Sequence, residues 1–451
     1  MEHIVIIGNG VSGITCARHI RKHDSQKKIT VISGETEHFY ARTALMYIYM
    51  GHMKYEHTKP YEDRFWEKNR IELVFNNVSK VDTQNKKLSL SDGYTISYDK
   101  LVIATGSKTN FYNWPGQDLK GVQGLYNIED LQTMEENTAG IKNAVVVGGG
   151  LIGIELAEML LSRNLHVTFL VREKRYWSNI LSKEEANMIE RHMREHHIDL
   201  ILETELKEIR GTNGKVSSIV TTSGEEIQCE FVGISTGVSP NISFLNGSNI
   251  ETDKGVLVDR YFQTNTEDVY AIGDCAQFRQ AIPGRKALEQ VWYTGRMQGQ
   301  VLAQTLCNNT TEYNPGPWFN SAKFLDIEYQ NYGMLPAEAT NDIEMFYWEH
   351  SSGKIAFRAG FEKATGKLIG INSFGFRLRH ELFDRWLTGG RNIDEVMEHL
   401  ADANFDPEFY RKYEADIINA YNKQFNKNIK AKKRSWSRIF QNMKRQEHAS
   451  K

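Results

Sequence analysis

Cysteine is scarce and scattered in this sequence. Cys16, Cys229, Cys275 and Cys307 stand far apart along 451 residues, with no C-x-x-C pair. That spacing excludes an iron–sulfur cluster within the chain and a vicinal redox disulfide. Cys16 falls in a helix behind a glycine loop and Cys229 in an apparent strand, where each reads as a small buried hydrophobe. Long apolar runs are also lacking, none approaching the roughly 18 residues that would span a bilayer. The opening "MEHIVIIGNG" carries no basic, apolar and cleavage-site sequence of a secretory leader, so the cytoplasm is the expected location. The tripeptides at Asn246, Asn308 and Asn309 then carry no glycosylation meaning. Charge of one sign is missing too: 55 basic against 57 acidic residues leave no global field for nucleic acid. His192, His196 and His197 share helical spacing in a charged stretch, which predicts a surface face and no metal site.

What the sequence does hold is glycine at fixed offsets. In "HIVIIGNGVSGITCARHI" an apolar strand runs into Gly8, Gly10 and Gly13, followed by a helix that begins near Ser12. Gly8 suits the tight turn, Gly10 lets backbone approach a pyrophosphate, and Gly13 lets the helix lie close to the strand. Glu35 follows about 20 residues later, where a carboxylate accepts from ribose hydroxyls. The pattern recurs in "AVVVGGGLIGIELAEMLL", with Gly148, Gly150 and Gly153 and a helix carrying Ile152 and Glu155. Two fingerprints imply two dinucleotides, as electron transfer between a nicotinamide and a flavin requires.

Further motifs follow in order: "KLVIATGS" ending in Ala104, Thr105 and Gly106, "TGVSPN" containing Gly237, "YAIGD" ending in Gly273 and Asp274, and "VWYTGRMQG" with Trp292. Through residue 375 or so the chain resembles the pyridine nucleotide-disulfide oxidoreductase superfamily, nearest to rubredoxin reductases and the flavin part of nitrite reductase large subunits. The resemblance implies an α/β fold: two Rossmann-like domains for FAD and NAD(P), a small α+β interface domain and a helical extension. The expected boundaries are 1–112 and 243–316 for FAD, 113–242 for NAD(P), 317–376 for the interface domain and 377–451 for the extension. It also implies FAD contacts by Asp274, Arg42, Val81 and Trp292, and a catalytic position for Glu155. Tyr47 stands where many relatives carry a lysine that pairs with that glutamate.

Relatives that reduce disulfides carry cysteines in the helix near "FYARTALMYIYMG", where this chain has none. A disulfide substrate is therefore not expected, and electrons must leave the flavin directly. By resemblance the acceptor is a rubredoxin, a ferredoxin or a metal-bearing subunit. A membrane-associated quinone reductase and a flavin-bound, redox-responsive interaction protein are the alternatives. For the donor, "HVTFLVREKRYW" ends its strand in Val171 where NADH-binding relatives carry an acid, and Arg172 comes next, which tilts the expectation to NADPH. Glu173 would serve NADH if the strand runs further. Arg377, Arg379, His380 and Arg385 offer a basic face to an acidic carrier or simply a solvated helix. The stretch 427–445 patterns as a basic amphipathic helix, leaving three readings open: contact with the inner face of the membrane, docking to a partner, and a disordered tail. Homodimerisation through the interface domain is also left open.

Overall fold

A computed structural model describes residues 1–405 and 411–432. Most of the basic stretch 427–445 thus lies outside the described residues. Among the described residues no helix is long and apolar enough to cross a membrane. The chain divides into two compact units, Met1–Tyr176 with Met193–Pro315, and Trp177–His192 with Gly316 onward.

The first unit contains two five-stranded parallel sheets. In one, His3–Ile7 lies centrally between Lys28–Ser33 and Lys100–Ile103, with Ile71–Phe75 and Val269–Ala271 at the edges. In the other, Asn143–Val147 lies between His166–Leu170 and Phe231–Ile234, flanked by Ile198–Ile201 and Val122–Gln123. Their apolar runs are buried almost end to end, as parallel strands covered on both faces require. Each strand order reverses beside the strand that feeds the glycine loop, and that switch point opens a crevice at the strands' carboxyl ends. The first sheet is completed only by Val269–Ala271, so the second fold is inserted into the first. The chain crosses between them through Ser107–Thr109, antiparallel to Val238–Pro240.

Helix Val11–His23 packs against Trp292–Leu306 at backbone distance. A Cβ added at Gly295 would meet Ser12 Oγ at 2.4 Å, and one at Gly299 would meet Ser12 O at 2.4 Å. Glycine in "YTGRMQGQ" therefore lets the later helix cover the first glycine loop.

In the second unit, an antiparallel sheet runs in the order Phe319–Phe324, Ile327–Gly333, Leu368–Phe374, Ala356–Glu362, Ile343–Glu349. Helices His380–Thr388, Ile393–Glu398 and Glu414–Phe425 share one core with this sheet, built on Phe346, Phe357, Ile371, Phe383, Trp386 and Tyr421. The stretch expected as a separate extension thus completes the sheet's own hydrophobic layer. Residues Trp177–His192, expected within 113–242, belong to this unit as well. Glu185 and Arg358, 0% and 2% exposed, form an ion pair of 3.1 Å there, and Asn372 Nδ2 donates to the same carboxylate at 2.8 Å.

The histidine expectation needs correction at His192, whereas His196 is half-buried and His197 exposed. His192 is 1% exposed and pairs with Asp326, because the helix face that carries it is packed over rather than solvated. In the basic face, Arg377 is held by Glu328, with Nε donating to Oε2 at 2.7 Å. His380 rests against Phe319 with ring centroids 4.1 Å apart.

Candidate functional site

The two glycine loops share one local geometry. Gly8 has φ +111° and Gly148 φ +118°, and a Cβ at either would strike a carbonyl across the sheet: Ala104 O at 2.1 Å, Ser235 O at 2.5 Å. A Cβ at Gly13 would meet Gly8 O at 2.1 Å, and one at Gly153 would meet Gly148 O at 2.4 Å, so both glycines hold the helix onto its own loop. At Gly10 and Gly150 nothing lies within 4 Å of such an atom. These two positions face open space at a helix N-terminus, a cradle for an anion.

A cavity of about 940 Å³ opens over the first loop, near the upper end of the range for ligand sites. Gly8, Gly10, Ser12, Glu35, Arg42, Ala104, Thr105, Gly106, Asp274 and Trp292 all line it, drawn from five separate stretches of chain. Ile152 and Glu155 line it from the helix Leu151–Ser162 of the inserted fold. One cavity is therefore bordered by both folds.

Its polar wall is wired internally. Glu35 accepts from Arg42 Nη2 at 2.6 Å, from the Tyr40 hydroxyl at 2.5 Å and from Ile128 N at 3.1 Å. Ile128 opens the helix Ile128–Asn137, so that carboxylate also lies at a helix N-terminus, where negative charge is favoured. Arg42 donates in addition to Tyr126 O at 2.6 Å, and its guanidinium lies 4.5 Å from the Tyr126 ring centroid. Opposite, Ser107 Oγ donates to Asp274 Oδ2 at 3.2 Å and accepts from Gln290 Nε2 at 2.8 Å. Burial pushes the Asp274 carboxyl up to about 6, against Ser107, Arg42 and Tyr126, which favour its charged form. Burial and the Asp274 charge push the Tyr126 hydroxyl up to about 12.

Other expected residues sit elsewhere. Val81 is 3% exposed within the first unit's core, and Val78, three residues earlier in the same strand, lines the cavity. Gly148, Gly150 and Gly153 shape the second loop without lining this cavity. Arg172 is not in the cavity lining; it lies beyond the end of His166–Leu170, its Nη2 donating to Glu173 Oε1 at 2.9 Å. Gly237, φ +101°, and Gly273, φ +76°, form the backbone turns leading out of the inserted fold and into the Asp274 loop. Tyr47 stacks on His52 with centroids 6.2 Å apart, outside the lining, whereas Glu155 is part of it.

Sequence reasoning passed over Tyr126, Ser107, Gln290 and Asp130. Only Asp130 had a local signal: Asn127 and Asp130 make reciprocal capping bonds, with Asp130 N donating to Asn127 Oδ1 at 2.7 Å.

The family model for pyridine nucleotide-disulphide oxidoreductase matches residues 2–299. Rhodocoxin reductase of Rhodococcus erythropolis is 30% identical over 331 residues, 71% of this chain and 76% of that protein. Rubredoxin-NAD(+) reductase of Pseudomonas putida is 28% identical over 318 residues, 70% of this chain and 83% of that protein. A ferredoxin reductase structure from Rhodopseudomonas palustris shares the fold, with a TM-score of 0.77 at 22% identity over 93% of this chain and 100% of that one. Because the family match runs through both glycine loops and on past the Asp274 turn to Trp292, the chain belongs to the pyridine nucleotide-disulphide oxidoreductase family.

Proposed function

We propose that the protein takes electrons from a reduced nicotinamide dinucleotide into FAD held in the cavity and passes them to a protein redox carrier of the rubredoxin or ferredoxin kind, with no thiol in the path. One observation carries this reading: among the described residues lining the cavity, none is a cysteine. A thiol route needs a thiolate within reach of the flavin. Instead burial pushes the Cys275 thiol up to about 11 and the Cys229 thiol up to about 12.

The residues fit FAD. Gly10, with open space over its α-carbon, and the N-terminus of Val11–His23 would receive the pyrophosphate. Glu35 would accept from the adenosine ribose, and Asp274 from the ribityl hydroxyls. Trp292 would wall the flavin ring, with Ile152 and Glu155 on the side from which the nicotinamide enters. Held there, FAD would supply the redox chemistry, namely uptake of an electron pair from the nicotinamide and its release to the carrier.

For the donor, the exposed Arg172 already has Glu173 on its guanidinium, and that carboxylate would repel a 2′-phosphate while suiting a 2′-hydroxyl. This favours NADH, in line with the NAD(+) in the name of the Pseudomonas relative.

Anaerobic mixing followed by flavin absorbance tests the proposal. NADH should bleach the flavin, and an oxidised rubredoxin or ferredoxin should restore its colour. Restoration by a disulfide or a quinone alone would overturn it.

A further inference from the structure

Three helices present their N-terminal ends to the cavity. Leu45–Tyr49 contributes Leu45 and Met46, Ile128–Asn137 contributes Glu129 and Asp130, and Leu151–Ser162 contributes Ile152 and Glu155. The third belongs to the inserted fold, the other two flank the flavin side. Their opposite ends meet on one residue, Tyr49, which is 0% exposed.

Tyr49 engages both other helices. Its hydroxyl lies 2.7 Å from Thr138 Oγ1, at the C-cap of Ile128–Asn137. Thr138 Oγ1 itself donates to Met134 O at 2.7 Å, so the tyrosine is the donor in that pair. Arg163, the C-cap of Leu151–Ser162, sends both Nε, at 3.0 Å, and Nη2, at 2.5 Å, to the carbonyl of Tyr49. Its guanidinium also stands 4.4 Å from the Tyr49 ring centroid. The carbonyl belongs to the last residue of a five-residue helix, where the chain offers few backbone donors and a cation suits the dipole. Arg163 follows Ile152 by about three turns, roughly 16 Å of helix.

We infer that Tyr49 and Arg163 are positioning residues that fix the distance between the nicotinamide-side wall, Ile152 and Glu155, and the flavin-side wall, Leu45 and Met46. A five-residue helix is too short to be stable by itself and depends on its tertiary contacts. The arginine from the inserted fold anchors it, and through it the two walls keep one spacing. Electron transfer between two stacked rings depends steeply on that spacing, so loosening the far ends misplaces the nicotinamide without emptying the flavin site.

The inference rests on the nicotinamide-to-flavin reading above, and the test separates the two. Full-length, flavin-loaded Arg163→Met, Arg163→Lys and Tyr49→Phe are compared with the parent protein by flavin content, by anaerobic flavin reduction at saturating NADH, and by ferricyanide reoxidation after dithionite reduction. Amide exchange of the flavin-free proteins over residues 45–50 adds a readout independent of turnover. Arg163→Met should keep full flavin and reoxidise within twofold of the parent, yet be reduced by NADH at least tenfold more slowly, with weaker long-wavelength nicotinamide–flavin absorbance. Its exchange over 45–50 should rise at least tenfold, and Tyr49→Phe and Arg163→Lys should fall between. Reduction as fast as the parent in Arg163→Met and Tyr49→Phe, or slowing only in proportion to lost flavin, overturns the inference. A parent protein whose flavin neither NADH nor NADPH reduces overturns the underlying reading instead, while the exchange data still report on the anchor.

Discussion

Ser107 and Asp274, 167 residues apart in sequence, join the two crossings of the chain: the hydroxyl at the start of the outward ribbon donates to the carboxylate of the returning loop at 3.2 Å. The bond closes the cavity floor at the switch point of the first sheet. Burial pushes that carboxyl up to about 6, and the Ser107 bond works with Arg42 and Tyr126 against the shift without cancelling it.

A pH dependence follows for the flavin-free protein. The folded-state value lies above the unfolded one, so the folded protein binds the extra proton. Asp274 therefore contributes its full stabilisation below about pH 4, and this is lost as pH rises through about 6. A rise to about 6 from the ordinary carboxylate range corresponds to at most about 3 kcal/mol. Thermal melts of apoprotein from pH 4 to 7 should show the loss, and Asp274→Asn should flatten that part of the curve. Parallel curves for the two proteins would remove Asp274 as the cause.

Gly10 and Gly13 separate binding from folding. A side chain at Gly10 enters open space, so Gly10→Val should fold with a melting temperature near that of the parent apoprotein and yet hold almost no FAD. Gly13→Val would drive its Cβ against Gly8 O, 2.1 Å away, and should fail to yield folded protein. Flavin absorbance and circular dichroism check both. A fully yellow Gly10→Val protein would be incompatible with the pyrophosphate cradle.

Replacing all four cysteines by alanine should leave NADH-driven dye reduction within about threefold of the parent. Cys16 and Cys275 are 0% exposed, so the cost falls on stability, about 1 kcal/mol for each buried sulfur removed. Turnover lost with flavin retained would put a thiol back in the electron path.

The donor can be read from one pair. If Glu173 selects the 2′-hydroxyl, Glu173→Gln should lower kcat/KM for NADH about tenfold and raise it for NADPH, since Arg172 would then be released to a phosphate. Arg172→Ala should weaken NADPH use further and change NADH use little. Steady-state rates with both donors decide, and an NADH preference unchanged in Glu173→Gln would mean the choice is made elsewhere.

What could be read from the sequence was what depends on a fixed local geometry. Gly8, Gly10 and Gly13 between an apolar strand and a helix allow one backbone path, and the structure has that path twice. Arg42 and Glu35 were each expected at the cofactor, but that they bond to one another at 2.6 Å is a tertiary fact with no signal in either segment. In the strand of Val81 a register irregularity between Val78 and Lys80 sets Val78 and Val81 opposite Leu90 and Leu88, so two side chains that simple alternation would put on opposite faces share one, and no feature of the sequence marks it. His192 shows the limit of helical spacing, which defines a face but not what covers it. Its partner, Asp326, lies 134 residues further on.

The pair of Glu185 and Arg358 gives the last prediction. Both are buried, at 0% and 2% exposure, and 173 residues separate them. Arg358 is held further by Pro336 O and by Ala337 O at 3.2 Å, and Glu185 Oε2 accepts from Ser182 N at 2.8 Å. Removing one partner leaves the other charge in a dry core, a loss of about 3–5 kcal/mol, whereas removing both leaves only neutral groups and a filled volume. Arg358→Met and Glu185→Gln should therefore each destabilise strongly, and the double variant should be well short of their sum, with a coupling of about 2 kcal/mol or more. Denaturant unfolding of the flavin-loaded protein, followed by tryptophan fluorescence, measures the cycle. Trp177, one of eight tryptophans in the sequence, packs against Phe324 and Tyr329 of the same sheet with ring centroids 5.8 and 6.2 Å apart, so part of the signal comes from this core. Additive losses would mean that the two side chains stabilise the sheet separately and that the ion pair between them contributes nothing of its own.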